Sequence, residues 1–401
     1  MKKILLLVLT FSFWTSCGQN STETKKKIDI DYSIIMLINN DSIVKKIVNR
    51  LENVFNENDI NGYIKYWDKN DFQFMKEPHK DLYLLFNNGY KTYIPTIISV
   101  VKTNNKFIVK IAVMGNPEGF NSLYAIYDLG VNLVNGEAFF YNMLNSNLSN
   151  FNKKTISNIT YFFKDTVNKN QIANQIEFNQ YLVKFFQKQN FEFNFIVAKN
   201  YEEMLKLQSY NYKDDMYVNS SGGIAYANDK IVFSANNSFY YPHEVVHLFT
   251  NKYYPNIHEI IDEGIATYLG GSKEISYNDL KNELGLKVKS YNSDFKKLIF
   301  EYDYKYIPLS KGTPIFYVIG AFICEEVYKN KGLRGLEQIM NTGYEDDKKL
   351  LSEICKVLEV KENELNDYLL KKLYWNENYF IRNHPAPSLQ RKFIFARKNR
   401  F

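Results

Sequence analysis

The sequence predicts an α+β protein that is rich in strands towards its N-terminus and rich in helices towards its C-terminus. Four β-rich runs separated by turn residues lie between residues 94 and 141 and predict an antiparallel meander. Apolar residues recur at helical spacing over residues 43–55 and again beyond residue 330. The run 316–323 is almost uniformly apolar, which is typical of a buried helix. We therefore expect an α+β module followed by a domain with a small sheet and a mostly helical C-terminal half.

Length and composition favour a soluble globular protein of two or three domains. The chain has 401 residues, of which 45% are hydrophobic and 23% are charged. The formal net charge is +6, and removal of Lys2 and Lys3 with an N-terminal leader would reduce it to +4. This excess is mild, and the sequence has no arginine-rich patch or zinc-knuckle spacing. We therefore expect no nucleic-acid partner.

Residues 1–17 predict a signal peptide of the lipoprotein type. Two lysines precede the apolar run 4–14, which is too short to span a bilayer as a permanent helix. The Thr-Ser-Cys-Gly that follows resembles a bacterial lipobox ending in Cys17, with Trp14 at the position usually held by leucine. The resemblance implies a protein held at a membrane by a lipid on Cys17, in the cell envelope outside the cytoplasm, with residues 18–27 as a flexible tether. The alternative is a secreted protein in which Cys17 is incidental.

Residues 28–150 predict an accessory module without a chemical role. Asp41 is a good N-cap for the amphipathic helix after it. The helices and the meander together resemble the α+β cone of nuclear-transport-factor-like proteins, which bind ligands or serve as accessory modules. A polar linker is expected at residues 146–154, at the start of a second domain over residues 151–375. A basic, irregular tail is expected over residues 376–401.

The two cysteines beyond the leader are too few for a disulfide framework. Cys324 and Cys355 both fall in helical patterns, so we expect them to be small buried apolar residues. An oxidising compartment would also permit a single bridge between them.

A His-Glu-x-x-His motif over residues 243–247 predicts a metal site. Residues four apart lie on one face of a helix, so His243 and His247 can direct both imidazoles at one point. Zn²⁺ prefers nitrogen, sulfur and carboxylate ligands in tetrahedral geometry, and a catalytic zinc keeps one position open for water. Glu244 lies about 100° further round the helix and cannot comfortably share that point. It is placed to take a proton from the zinc-bound water, the general-base role of this motif.

The third zinc ligand has three nearby candidates. A metzincin would carry its third histidine where this chain has Tyr253, so that class is excluded. His258 follows a Tyr-Pro-Asn turn and is expected to be a surface imidazole. Glu263 begins a run, Glu-Gly-Ile-Ala-Thr-Tyr-Leu, whose spacing suits a second helix beside the first. The spacing favours Glu263 as the ligand, with Asp262 as the N-cap of that helix or as a group that orients a ligand.

The two motifs together resemble those of the gluzincin metallopeptidases, the group of thermolysin and aminopeptidase N. The resemblance is specific over residues 241–271 and weaker over 155–375, and the spacer 248–262 is shorter than in those two enzymes. It implies a Zn²⁺ ion bound by two histidines and the glutamate of the second helix, which are His243, His247 and Glu263 here. It also implies hydrolysis of peptide bonds, with Glu244 as the general base.

The same resemblance implies two further features of the site. Gluzincins commonly place a tyrosine or histidine opposite the catalytic glutamate to stabilise the oxyanion, and Tyr317 in Tyr-x-x-Gly-x-Phe matches that position. Gluzincins also pair an extended substrate with an edge strand before the zinc helix, and the predicted strand 222–225, in a hairpin turning at Asn228–Asp229, resembles it. A core tyrosine and an ordinary structural hairpin are the alternatives.

These features predict a membrane-anchored, extracytoplasmic zinc metallopeptidase that acts on a peptide or protein substrate. One alternative is a non-catalytic surface lipoprotein that uses the same scaffold to bind a peptide or glycan. Another is a zinc hydrolase that acts on a non-peptide amide. The sequence shows no specificity pocket, so it does not separate endopeptidase from aminopeptidase activity.

Overall fold

The computed structural model describes residues 28–380, except 58, 88–92, 104–105, 117–118, 220, 291–293 and 345. The predicted signal peptide, Cys17, the tether and the tail beyond residue 380 lie outside the described residues. Within the described part, the chain is α+β, as the sequence predicts. None of the helices described there combines the length and the apolar character that crossing a membrane requires.

The part of the chain before residue 235 contains all of the described strands. Its helices are α1 (Tyr32–Asn40), α2 (Ser42–Phe55), α3 (Lys80–Asn87), α4 (Leu144–Asn147), α5 (Lys169–Phe186) and α6 (Tyr201–Leu207). The strands are β1 (Asp29–Ile30), β2 (Tyr93–Thr103), β3 (Lys106–Gly115), β4 (Ser122–Val134), β5 (Glu137–Tyr141), β6 (Asn152–Ile156), β7 (Ile159–Phe163), β8 (Phe193–Val197), β9 (Tyr210–Lys213), β10 (Gly223–Tyr226) and β11 (Ile231–Ser234).

The C-terminal half is helical, as expected. Its helices are α7 (Pro242–Tyr253), α8 (Glu259–Gly270), α9 (Tyr277–Ser290), α10 (Phe295–Phe300), α11 (Tyr302–Lys305), α12 (Ile315–Met340), α13 (Asp347–Leu358) and α14 (Leu365–Phe380). Helix α12 is interrupted at Gly332, which has a φ of 61°. Helix α14 continues into the first residues of the expected tail. Cys324 and Cys355 are buried and free, so no disulfide joins them.

The first sheet has the order β1-β2-β3-β4-β5 among the described strands, and β9 also pairs with β4. The meander β2 to β5 is antiparallel throughout, as its turn residues predict. Helix α2 supplies Ile47 and Leu51 to the core against this sheet. Strand β9 comes from beyond the expected boundary at residue 150, so the two predicted parts share a sheet.

The second sheet has the order β10-β11-β8-β7-β6. Strands β7, β8 and β11 run parallel, and the antiparallel strands β6 and β10 form its edges. Both faces of its centre are buried, since Phe195 of β8 belongs to the core around α7 and α8 while Ile196 belongs to the core on the opposite side. The expected linker at 146–154 is structured, because α4, a short 3₁₀ turn and β6 occupy it.

Candidate metal centre

Helix α7 carries the His-Glu-x-x-His motif. Its N-terminus is held by a hydrogen bond to a residue that is distant in sequence. Pro242 occupies the first turn, where a missing N–H costs nothing, and Tyr241 before it provides no side-chain cap. The Tyr241 amide instead donates to Oε1 of the buried Gln175 on α5, over 3.0 Å. Gln175 was not among the predicted site residues; the signal that could have indicated it is a pair of buried amides one turn apart on α5, where Gln175 Nε2 donates to Oδ1 of Asn179 over 2.9 Å. His243, Glu244 and His247 are all buried on α7.

Helix α8 begins at Glu259, earlier than the sequence suggests. Its N-cap is His258, whose Nδ1 accepts from the Ile260 amide over 3.3 Å. The other nitrogen, Nε2, lies 3.0 Å from Oδ1 of Asp347. His258 is buried, so the expectation of a surface imidazole is wrong, because capping α8 draws the ring inwards. Both of its nitrogens are engaged, which removes His258 from the candidate ligands.

Three side chains converge where the sequence predicts a metal. Nε2 of His243 lies 3.2 Å from Oε2 of Glu263 and 3.3 Å from Nε2 of His247, and the third separation, His247 to Glu263, is 3.6 Å. Ligands about 2.0–2.1 Å from a tetrahedral zinc would lie about 3.3–3.4 Å apart. The three atoms therefore already stand at the spacing that such an ion requires, and two imidazoles with one carboxylate are a donor set that zinc accepts.

The tautomers of both histidines suit this arrangement. Nδ1 of His243 donates to the carbonyl of Gly271 over 2.7 Å, and Nδ1 of His247 donates to Oδ2 of Asp262 over 3.1 Å. With Nδ1 as the donor, the neutral form of each ring has an unprotonated Nε2 that faces the shared point. Gly270 makes the first contact possible, because a β-carbon there would lie 2.6 Å from the His243 backbone nitrogen.

Asp262 lies within α8, and its carboxylate contacts three side chains of α7. Besides His247, its carboxylate accepts from Thr250 Oγ1 over 2.5 Å and from Asn251 Nδ2 over 2.9 Å. The expectation that Asp262 caps the helix is wrong, since α8 starts one turn earlier at Glu259. The alternative interpretation, a group that orients a metal ligand, matches these contacts.

The pKa shifts in the triad favour a negatively charged Glu263 beside a positively charged His247. Burial alone would raise the pKa of Glu263, but the two histidines hold it well below its usual range. Burial lowers the pKa of His247, but the carboxylates of Asp262 and Glu263 outweigh this effect and raise it well above its ordinary value. The site therefore attracts positive charge, whether as a proton or as a cation.

Glu244 lies beside the triad and against an edge strand. Burial raises the pKa of its carboxyl group above the usual value. A β-carbon on Gly223 of β10 would lie 2.6 Å from Cγ of Glu244, so the backbone of β10 passes directly over this side chain. The predicted hairpin is confirmed, with its turn between Tyr226 and Ile231.

Tyr317 approaches the triad from α12. Its ring stacks almost parallel to that of His243, with 6.0 Å between centroids. Burial raises the pKa of its hydroxyl far above the usual value, and the negative charge of the nearby Glu263 carboxylate raises it further. Tyr317 therefore keeps its proton at neutral pH and can donate a hydrogen bond to an oxygen placed beside it.

The three candidate ligands, Glu244 and Tyr317 all line one cleft of about 620 Å³. Strand β10 lines it along one side, while Glu77 and Lys80 from the N-terminal half lie by the hairpin turn. Asn228 in that turn donates to Glu77, and the buried Asp229 accepts from the amides of residues 76 and 77. The accessory module therefore forms part of the cleft wall.

The structure brings His243, Glu244, His247, Glu263 and Tyr317 together, and Cys17 lies outside the described residues. Comparison of the chain with models of known protein families gives no match, and comparison with curated proteins gives no relative. The interpretation of the site therefore depends on its own geometry.

Proposed function

We propose that this protein is a zinc-dependent metallopeptidase of the gluzincin type that hydrolyses peptide bonds. The observation that carries the proposal is the spacing of the three Nε2 and Oε2 atoms, which matches a tetrahedral zinc, with Glu244 and Tyr317 in the same cleft. Non-catalytic binding of a peptide or glycan is the alternative, and zinc would then have a structural role.

Each residue of the proposed mechanism has a separate task. His243, His247 and Glu263 would hold Zn²⁺, which when bound makes a water more acidic and polarises a carbonyl oxygen. Glu244 would accept the proton of the attacking water at its carboxylate and pass it to the leaving amine. Tyr317 would donate its hydroxyl proton in a hydrogen bond to the carbonyl oxygen as negative charge develops there.

Strand β10 is the proposed site for the extended substrate. It is the edge of its sheet, and the amide of Ala235 donates to the carbonyl of Gly222. In an antiparallel ladder, the backbone groups of alternate residues then point away from the partner strand, which here means those of Gly223 and Ala225. These groups are available to bind a peptide backbone independently of its side chains.

The proposed location is the cell envelope, with the chain anchored through a lipid on Cys17. This part of the proposal depends on the signal sequence and lipobox pattern alone. Labelling of cells with a fatty-acid analogue tests it, since incorporation is expected in the wild type and not in Cys17→Ser. Equal labelling of both forms would contradict the anchor.

Cleavage of a peptide library by the zinc-loaded mature chain tests the activity. We expect Glu244→Gln to keep its zinc and to lose about 10²–10⁴-fold in kcat, because general-base catalysis contributes that much. Glu202→Gln, a matched change on α6 away from the cleft, is the control and should cleave normally. Normal cleavage by Glu244→Gln would contradict the mechanism, and a zinc-loaded wild type that binds peptides without cleaving them would favour the binding protein. Cleavage of non-peptide amides in place of peptides would indicate the other hydrolase.

A further inference from the structure

Lysines 80 and 273 both line the cleft, but their surroundings differ. Lys80 lies 3.1 Å from Oε2 of Glu77 and is neutralised by it. Lys273 donates to the carbonyl of Gly312 over 3.0 Å, and no carboxylate of the described residues lies within ion-pair distance of its ammonium group. An ammonium group has three donors, so Lys273 keeps two that this carbonyl does not use.

Lys273 lies in a tight turn that is held in position by contacts to neighbouring loops. Lys273 and Glu274 form the tip of a tight turn with φ angles of 45° and 67°, a conformation that costs free energy for residues other than glycine. Glu274 accepts from Asn236 Nδ2 over 2.8 Å and pairs with Lys311 over 3.1 Å, and Thr313 donates to Ser272 over 3.3 Å. Three contacts therefore fasten the turn to two neighbouring loops.

This turn lies at the metal end of the cleft. Gly271, two residues before Lys273, accepts the hydrogen bond that orients His243. Asn236, which contacts the turn, follows β11 at the end where Gly223 begins β10. The positive group therefore lies beside the proposed peptide path, close to the metal, whereas the Glu77–Lys80 pair lies by the hairpin turn at the other end of β10.

We propose that Lys273 is a specificity residue that binds a carboxylate of the substrate. A partly buried cation without a carboxylate partner is costly to desolvate, and a substrate carboxylate would both pair with it and complete its hydrogen bonds. Burial also lowers the pKa of Lys273, and no carboxylate in the described part of the chain pairs with it to oppose this effect. The carboxylate is either the C-terminus of a peptide or an acidic side chain. This inference depends on the proposed function for its substrate, a peptide.

The test compares matched peptides that differ in one charge. The first pair has a free or an amidated C-terminus, and a second series exchanges Glu for Gln at each position. We expect the zinc-loaded wild type to prefer one carboxylate form by about tenfold in kcat/KM, since a charge-assisted hydrogen bond is worth at least that much. Lys273→Met should reduce the preference to about one, and Lys273→Arg should restore part of it. The pair that shows the effect identifies the source of the carboxylate.

Two controls separate this role from a structural one. Lys169→Met removes an exposed lysine of α5 that neither lines the cleft nor contacts the turn, and it should keep the full preference. A lysine that only fastened the turn would affect both peptides of a pair equally, and equal loss for both would overturn the proposal. A preference that survives Lys273→Met would overturn it as well.

Binding separates failure of this inference from failure of the proposed activity. Titration calorimetry of the same peptides into zinc-loaded Glu244→Gln requires no turnover. Tighter binding of the carboxylate form that is lost in Lys273→Met would support the role of Lys273 even if no peptide is cleaved. Equal binding of the charged and uncharged forms would overturn it even if the wild type is an active peptidase.

Discussion

Gly264 of α8 lies against Gly320 of α12 so closely that a β-carbon on Gly264 would stand 2.4 Å from the carbonyl carbon of Gly320. A β-carbon on Gly320 would in turn stand 2.3 Å from the carbonyl oxygen of Ile260. Glu263 immediately precedes Gly264, and Tyr317 lies about one turn before Gly320. The close crossing of α8 and α12 therefore sets the distance between Glu263, the third candidate ligand, and Tyr317.

Gly264→Ala should destabilise the protein and weaken metal binding. Alanine has the higher helix propensity, worth about 1 kcal/mol, but the methyl group would contact backbone that cannot move aside. Overpacking of this kind costs about 1–3 kcal/mol, so we expect a net loss in the free energy of unfolding. Chemical denaturation and zinc titration measure both effects.

Gly62→Ala is the control for that experiment. The atoms nearest to its β-carbon all belong to the side chain of Glu57, whose carboxylate end can move aside only at the cost of its contacts with Tyr66 and Lys65. We expect a smaller loss of stability than in Gly264→Ala and no change in zinc affinity. Equal behaviour of the two variants would show that the crossing tolerates a methyl group.

The motif residues could be predicted from sequence because their spacing is local. His243 and His247 are one helical turn apart, so a single assumption, that α7 is a helix, places both of them. The prediction of Glu263 as the third ligand required only one further assumption, that a second helix packs beside the first. The start of α8 was misplaced because the capping residue is His258, an unusual N-cap that sequence preferences do not indicate.

The remaining features depend on tertiary contacts between distant residues. Strand β9 pairs with β4, more than eighty residues earlier in the sequence. Its short run, Tyr-Asn-Tyr-Lys, has no pattern that predicts which strand it pairs with. Gln175 bonds to the Tyr241 amide, and Gly271 holds His243 through a backbone carbonyl, which any residue type possesses. Such contacts become visible only when the chain is folded.

Removal of the proposed third ligand should remove the metal. We expect near-stoichiometric zinc in the wild-type mature chain by elemental analysis and little in Glu263→Ala, since two histidines alone leave the ion without its carboxylate. His258→Ala should retain zinc, although loss of its N-cap should cost about 1 kcal/mol of stability. Zinc that survives Glu263→Ala and disappears in His258→Ala would contradict this ligand assignment.

Asp262→Asn should weaken zinc binding without removing a ligand. The amide is neutral and keeps only one acceptor oxygen for the donors that the carboxylate now accepts from, so the contact at 3.1 Å that orients His247 should be weakened. Complete loss of such a partner typically costs about 10–100-fold in metal affinity, so we expect an effect up to that size. Competition with a chelator measures the effect. Asp347→Asn, which alters the matching contact to His258, is the control and should bind zinc normally.

Tyr317→Phe should slow catalysis while zinc remains bound. The hydroxyl is proposed to contact the carbonyl oxygen mainly in the transition state, so kcat should fall by about 10²–10³-fold with a smaller change in KM. Tyr268→Phe removes a hydroxyl from α8 outside the cleft and should leave both constants unchanged. An unchanged kcat in Tyr317→Phe would identify Tyr317 as a packing residue.

Asp81, at the start of α3, should make stability depend on pH. Burial raises the pKa of its carboxyl group to about 6 from the ordinary 3.8, and the nearby Asp229 adds to this, while Lys80, Lys213 and the hydroxyl of Tyr226 act against it. Because the folded state binds this proton more tightly than the unfolded state, its contribution is complete below pH 3.8 and is lost as the pH rises through about 6. The wild type therefore holds a charge at neutral pH that its surroundings disfavour.

Asp81→Asn should remove this penalty. The variant keeps an oxygen that can accept from Tyr226, so its advantage over the wild type should grow between about pH 4 and pH 7, to at most about 3 kcal/mol. Urea denaturation across this range measures the difference in the free energy of unfolding. Asp303→Asn, which alters an exposed carboxylate on α11, should show no such trend. A wild-type advantage that increases with pH would mean that the charged form of Asp81 stabilises the contact between the accessory module and the β10–β11 hairpin.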